Sequence, residues 1–167
     1  MSQQILIAVA LAFGLAAALV AGVFQSFSDF IMRGLASVQG SGGMASMQAI
    51  NVTVIDSWFV RFLIALAPLS ILFALYGVWA MEGRALVALV LAAAIYVPLS
   101  FGVTIFGNVP MNNALADLPP GAAQAGEYWA HYADRWTQFN TLRTWASAAA
   151  AACYFYAAVA LAGQGAA

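Results

Sequence analysis

Four stretches without a single charged side chain, each long enough to cross a lipid bilayer, constrain this chain more than any other feature. They cover residues 1–28, 62–81, 85–116 and 144–167. A spanning helix needs about 20 mostly apolar residues, rising 1.5 Å each, to cross about 30 Å of hydrocarbon. The most apolar parts of the four stretches read as spans over 5–27, 60–81, 85–107 and 140–162. The remaining composition agrees. Five arginines, six acidic residues and no lysine make up 7% of the chain, against 65% hydrophobic residues. Soluble domains carry about 25% charged residues, and a chain this short cannot bury so much apolar surface in water. Lipid is its natural solvent.

The same arithmetic excludes a disordered chain, which needs low hydrophobicity, and a nucleic-acid binder, which needs a basic patch. Cys153 is the only cysteine and His131 the only histidine, so neither a disulfide framework nor a thiolate or histidine-rich metal site is expected. No cofactor is demanded. The first stretch reads as a span rather than a cleaved signal, because nothing before Ile5 is positively charged and the apolar run exceeds the usual signal core.

The connections between spans are unequal. Glu82, Gly83 and Arg84 form a tight turn that sets the second and third spans antiparallel. The other two connections are long and, by counting, emerge on one side of the membrane. Each carries a helical signal, over residues 44–55 and 122–139. In the second, Trp129, Tyr132, Trp136 and Asn140 recur at spacings of three and four, which places them on one stripe. That segment either joins the fourth span or lies at the interface, where such rings are favoured. The expected fold is all-α: one domain over 1–167, an integral membrane four-helix bundle with two long connections on one side, each with a short helix.

Local features add detail. Pro68 and Pro98 should kink their helices, with Ser100 and Thr104 placed to satisfy freed carbonyls. Pro110 should hold Val109 out of helical geometry, so the third helix is expected to break at Asn108. Gly14, Ala18 and Gly22, like Ala146 and Ala150, form small-residue seams on which helices, or two copies of the chain, can pack.

Polar residues at membrane depth are costly and need a reason. Here they are one-sided. Ser28, Asp29 and Arg33 end the first span, while Gln48, Asn51, Asp56 and Arg61 lead into the second. Asn108, Asn112 and Asn113 close the third, and Trp136, Gln138, Asn140 and Arg143 open the fourth. Nine of the eleven charges lie on this side, with only Glu82 and Arg84 opposite. Individually, the asparagines can be helix caps and Arg143 can snorkel; together they point to a shared pocket. The arginine distribution places this polar end in the cytoplasm, and the expected location is a bacterial inner membrane.

Four stretches carry a likeness to a known family: Phe24-Gln-Ser-Phe-Ser-Asp-Phe30 with Met32, Met47-Gln-Ala-Ile-Asn51, Gly107-Asn-Val-Pro-Met-Asn-Asn-Ala-Leu115, and Trp129-x-x-Tyr132-x-x-x-Trp136-Thr137-x-x-Asn140-x-x-Arg143. Together they resemble the anthrone oxygenases, small four-helix membrane proteins, over nearly the whole chain. Phe139 stands where members often carry tryptophan. The resemblance implies oxidation of an apolar aromatic or quinone-like molecule by molecular oxygen. On that implication Arg143, Asn140, Asn108 and Asn112 supply donors to a developing oxyanion, and Asp29 is the candidate base if it points inward, the alternative being an ion pair with Arg33 across one turn. Tyr132 and Trp136 stack on a flat ring, and Ser28 and Asn51 complete the substrate-binding set. The other reading is non-catalytic: a small membrane subunit whose polar end docks a partner or a lipid. The direction of the Asn and Trp side chains, inward or outward, separates the two.

Overall fold

The computed structural model describes residues 1–122 and 125–164. Five helices account for nearly all of them: α1 Gln3–Ser37, α2 Gly42–Thr53, α3 Trp58–Ala80, α4 Gly83–Ala116 and α5 Ala125–Gln164. Four of these, all but α2, are long and apolar enough to cross a membrane. The protein is an all-α membrane protein. In lipid every backbone donor and acceptor must be paired within the chain, and a helix does this within one segment.

The helix starts are visible in the sequence. Ser2 and Ser57 cap α1 and α3, their hydroxyls accepting from the Ile5 and Val60 amides at 3.4 and 3.2 Å. Extended residues Met81 and Glu82 lead to Gly83, whose φ of 70° lets the chain reverse between α3 and α4. Large apolar side chains such as Leu15, Leu72, Trp79 and Val159 stay exposed, as expected of a surface solvated by lipid tails.

α5 packs chiefly along α1 and α4, and α3 closes the bundle. The main core is small-residue rich: Ala10, Ala17, Ala88, Ala92, Ala150 and Ala157 let the backbones approach around Tyr96, Tyr154 and Leu89. Gly14 belongs to this seam, since a Cβ there would lie 2.6 Å from the Phe155 ring. Gly22 does not; it is exposed with nothing within 4 Å. A strict four-residue spacing drifts by about 40° per step around a 3.6-residue helix, so the expected Gly14–Ala18–Gly22 stripe rotates out of the interface. Ala146 and Ala150 are buried.

At 1.5 Å per residue, the 40 residues of α5 extend about 60 Å, twice the hydrocarbon thickness. The stripe at 129–140 is therefore the first part of α5, continuous with the span, and the second connection contracts to residues 117–124. α1 and α4 overshoot at the same end. Their extensions clasp α2 in a second cluster built on Met32, Met44, Met47, Leu115, Tyr132 and Trp136. Gln48 Nε2 ties α2 to α4 by donating to the Leu115 and Leu118 carbonyls at 2.8 and 2.9 Å. Gly43 is where α2 meets α1: a Cβ there would fall 1.9 Å from the Leu35 carbonyl oxygen.

The third span differs from expectation. It does not break at Asn108, for Val109 is helical (φ −63°, ψ −46°). Instead α4 passes through two π-helical segments, Val97–Gly102 and Thr104–Asn108, before Pro110. The Val109 amide reaches back five residues to Thr104 O. Widening the turn moves the carbonyl that the proline ring would strike, so the helix survives. Thr104 Oγ1 donates to Ser100 O at 2.8 Å, as its position suggested. Ser100 Oγ instead pairs with Ser147 Oγ, also at 2.8 Å.

Candidate functional site

Spacings of four, four and three along α5 put Tyr132, Trp136, Asn140 and Arg143 on one buried face. That face meets two of the three places where other helices widen into π turns, Phe27–Ile31 of α1 and Thr104–Asn108 of α4. Such bulges are frequent at functional sites. Between them lies a cavity of about 360 Å³. Its walls are mainly apolar, with Phe24 and Phe27 from α1, Met47 from α2, Phe59 and Leu63 from α3, and Phe101 from α4. Asn51, Thr104, Asn108, Asn112, Asn113, Trp136, Asn140 and Arg143 add polar groups.

Arg143 is the centre of these groups. Its side chain is 4% exposed, with Cζ 4.1 Å from the Phe24 ring centroid and 5.3 Å from that of Trp136. Nη2 donates to Asn140 Oδ1 at 2.7 Å and Nη1 to Thr104 Oγ1 at 3.2 Å. No carboxylate answers the charge: among the described residues the only ion pair is Arg33 with Asp29, at 3.4 Å on the surface. Arginine stays protonated, so a cation is held in an apolar cavity by neutral dipoles and ring faces alone.

The asparagine orientations follow from obligate partners, since an indole or guanidinium can only donate and a backbone carbonyl can only accept. Asn140 turns its oxygen to Arg143 and its Nδ2 to Phe24 O and Ser28 Oγ, at 2.6 and 2.7 Å. Asn112 Oδ1 accepts from Tyr132 Oη and Trp136 Nε1, both at 2.8 Å, leaving its amide N–H groups to face elsewhere. Asn51 Nδ2 donates to Tyr132 Oη at 3.4 Å. Asn108 Nδ2 donates to Trp136 O at 3.1 Å, while its Oδ1 has no partner. Asn108 therefore spends one amide N–H on a carbonyl of α5 and keeps a buried, unpaired oxygen.

The sequence-derived residues divide by position. Asn51, Asn108, Asn112, Trp136, Asn140 and Arg143 line the cavity. Tyr132 and Ser28 stand behind it. Tyr132 is fully buried and braces Asn112, while Ser28 joins α1 to α5 by accepting from Asn140 Nδ2 and from Thr141 Oγ1 at 2.9 Å. Asp29 is exposed and paired with Arg33, away from the lining. The lining contains no Asp, Glu or His, and no group of three or more metal-ligating His, Cys, Asp or Glu occurs among the described residues.

Sequence reasoning missed the α3 wall and Phe24, since an apolar residue lining a cavity reads the same as one facing lipid. Thr104 was legible as a hydroxyl but not as a partner of Arg143. Several lining residues are also exposed on the outer surface: Val52 of α2, Ile55 just after it, Ile64 of α3, and Ile105 and Val109 of α4. They frame a mouth beyond the last α3–α4 hydrogen bond, from Tyr96 Oη to Leu63 O at 3.2 Å.

Comparison with known proteins supplies the family. No curated protein and no solved structure matches the chain. The sequence model of the anthrone oxygenases matches residues 53–153, which take in α3, α4 and the face of α5 from Tyr132 to Arg143. That match covers more than half of the sequence and includes the cation, its asparagine and the π-helical turns of α4, and the protein belongs to the anthrone oxygenase family.

Proposed function

We propose that the protein is a membrane-embedded oxidoreductase that uses molecular oxygen to oxidise an apolar aromatic ketone of the anthrone type. The observation carrying this reading is Arg143: a buried cation, without a carboxylate, on the wall of a cavity otherwise fit for a flat hydrophobic ring. A lone buried cation is costly to hold and most useful where negative charge develops during a reaction.

The chemistry asks little else of the protein. An anthrone has an acidic methylene between two aromatic rings and a ketone opposite. Loss of one methylene proton gives an enolate whose oxygen carries the charge, and Arg143 with the Asn112 amide N–H lowers its energy. The proton leaves to solvent, since the lining holds no carboxylate or imidazole. Oxygen adds to the electron-rich carbon, giving a hydroperoxide. Loss of water leaves the second carbonyl. One anthrone and one O₂ become one anthraquinone and one water. Phe24, Phe27 and Trp136 give ring faces for stacking, and the mainly apolar walls limit water.

The apolar mouth between α3 and α4 suits a substrate dissolved in the bilayer, which enters sideways without crossing water. The inward direction of the asparagines and Trp136 weighs against a docking role for the polar end. By its arginine count that end faces the cytoplasm, which a compartment-specific reporter at the C-terminus tests.

The decisive experiment is oxygen uptake by purified protein in liposomes loaded with anthrone. Catalysed formation of anthraquinone, one per O₂ consumed and lost in Arg143→Met, is the expected result. A rate equal to that of empty liposomes overturns the reading.

A further inference from the structure

The lining of the cavity changes character between its interior and its mouth. Its aromatic side chains, Phe24, Phe27, Phe59, Phe101 and Trp136, are all buried or half-buried. None of its exposed residues is aromatic: beside Asn113 and Ala116 they are Val52, Ile55, Ile64, Ile105 and Val109, all aliphatic and β-branched. The change falls between neighbours in the chain. Leu63 and Ile64 of α3, like Thr104 with Ile105 and Asn108 with Val109 of α4, are consecutive pairs that line the cavity together. In each pair the first residue is buried or half-buried and the second is exposed. Asn51 and Val52 of α2 repeat the pattern. One residue turns a helix by about 100°, so these helices carry the cavity wall from the bundle interior round to the outer surface.

That surface lies in lipid. α3 runs from Trp58 to Ala80, about 35 Å, and Ile64 is about 9 Å along it from Trp58. The rim formed by Ile64, Ile105 and Val109 therefore opens among lipid tails. Its width is set by residue type as well as by the backbone. A β-branched side chain has one strongly preferred χ1 in a helix, so this rim does not swing shut as a ring of leucines or methionines can. A fixed apolar opening on the bilayer is filled by a chain, either that of a lipid or part of the ligand itself.

From interior to rim the lining thus passes from a cation, amides and aromatic rings to bare aliphatic side chains. We propose that the ligand follows the same order: an aromatic ketone bearing a long aliphatic tail, with the ring inside and the tail leaving between Ile64, Ile105 and Val109 into the bilayer. The tail gains little from the hydrophobic effect, because lipid is as apolar as the rim. It acts in two other ways. It occupies the fixed opening, which a ring without a tail leaves to a separate lipid chain that must be ordered there. It also sets direction, since a ring tethered to the bilayer enters with its far edge leading. This names the substrate class of the proposed oxidoreductase and rests on that reading for the ketone; the tail is argued from the rim.

The test is equilibrium binding without oxygen, where nothing turns over. The thermal midpoint of the protein in lipid nanodiscs is followed while anthrone or 2-dodecylanthrone is added as a mole fraction of the lipid. At equal mole fraction the tailed probe is expected to bind at least about threefold more tightly, because its chain is delivered to the rim by the ring it is tied to. In Ile64→Trp that preference should vanish or reverse, while the affinity for anthrone stays within about twofold. A narrowed rim obstructs a tail lodged in it but not a ring that has passed. Equal or weaker binding of 2-dodecylanthrone by the unmodified protein, or a preference that survives Ile64→Trp, overturns the tail assignment. The oxidoreductase reading then still stands or falls on oxygen uptake with anthrone. Binding of neither probe overturns both, because the cavity then does not accept the ring. The comparison in the unmodified protein needs no substitution, so it decides the matter even if Ile64→Trp does not fold.

Discussion

Arg143 Nη2 donates to Asn140 Oδ1 at 2.7 Å across one turn of α5, and the other end of the same amide donates to Phe24 O and Ser28 Oγ of α1. The asparagine thus aims the only buried cation of the site while bolting two helices together. This dual role separates what stabilises the protein from what the site does, and substitutions can read the two apart.

Arg143→Met should remove catalysis without removing the fold. Loss of one oxyanion donor costs about 10²–10³ in kcat in well-studied enzymes. Removing a buried unpaired charge recovers its desolvation cost, which offsets the loss of the donor to Asn140 Oδ1. Anthrone-dependent oxygen uptake should fall by that factor while the thermal midpoint in detergent holds or rises. A lower midpoint together with lost activity would make Arg143 structural.

Asn112→Leu should cost stability as well as removing an oxyanion donor. It strands the Tyr132 hydroxyl and the Trp136 indole N–H, both of which end on Asn112 Oδ1 at 2.8 Å. A stranded buried donor costs about 1–3 kcal/mol. Adding Trp136→Phe to Asn112→Leu should recover part of the loss, because one stranded donor is then gone. A denaturation cycle over the two single variants and the double measures the coupling.

Two glycines give a packing contrast. Gly43→Ala puts a methyl against the Leu35 carbonyl and should push α2 from α1, costing about 1–3 kcal/mol as overpacking does. Gly22→Ala meets nothing within 4 Å on an exposed helix face and should stabilise by about 0.5–1 kcal/mol through helix propensity. Equal midpoints for the two variants would show that α2 is not held against α1 as described.

The mouth can be narrowed from outside. Ile105 is exposed on the rim of the cavity, and neither hydrogen bond of Arg143, to Asn140 and to Thr104, ends on it. Ile105→Trp should lower kcat/KM for a substrate supplied in the bilayer and leave kcat nearly unchanged, the signature of impeded entry rather than impaired chemistry. Steady-state rates at varied mole fraction of anthrone in liposomes separate the two.

Part of the site is legible in the sequence alone. The 129–140 stripe, and its continuation to Arg143, places aromatic rings, an amide and a guanidinium on one face, because helical periodicity converts spacing directly into direction. The asparagines of α4 were visible as polar groups too costly to leave in lipid without purpose. Their hydrogen-bonding sense was not visible. Asn108 and Asn112 are the same residue type on one helix, yet Asn108 leaves its oxygen buried and unpaired and Asn112 spends its oxygen on two donors. Only the positions of Trp136 and Tyr132 decide that. Asp29 illustrates the converse, a carboxylate in a motif stretch that the widened turn of α1 leaves on the surface beside Arg33.

By itself the sequence determined that the chain lives in lipid, crosses it four times and gathers its polar groups at one end. These follow from length, apolarity and the placement of eleven charges, quantities that add along a chain. Tertiary structure decided whether those polar groups share a space. Two π-helical segments carry α4 past Pro110 without a break, and an α5 twice the thickness of the hydrocarbon carries its aromatic stripe to the same level. Enclosure depends on where helices diverge and which side chains answer one another across the gap. Those relations are long-range, and no local pattern encodes them.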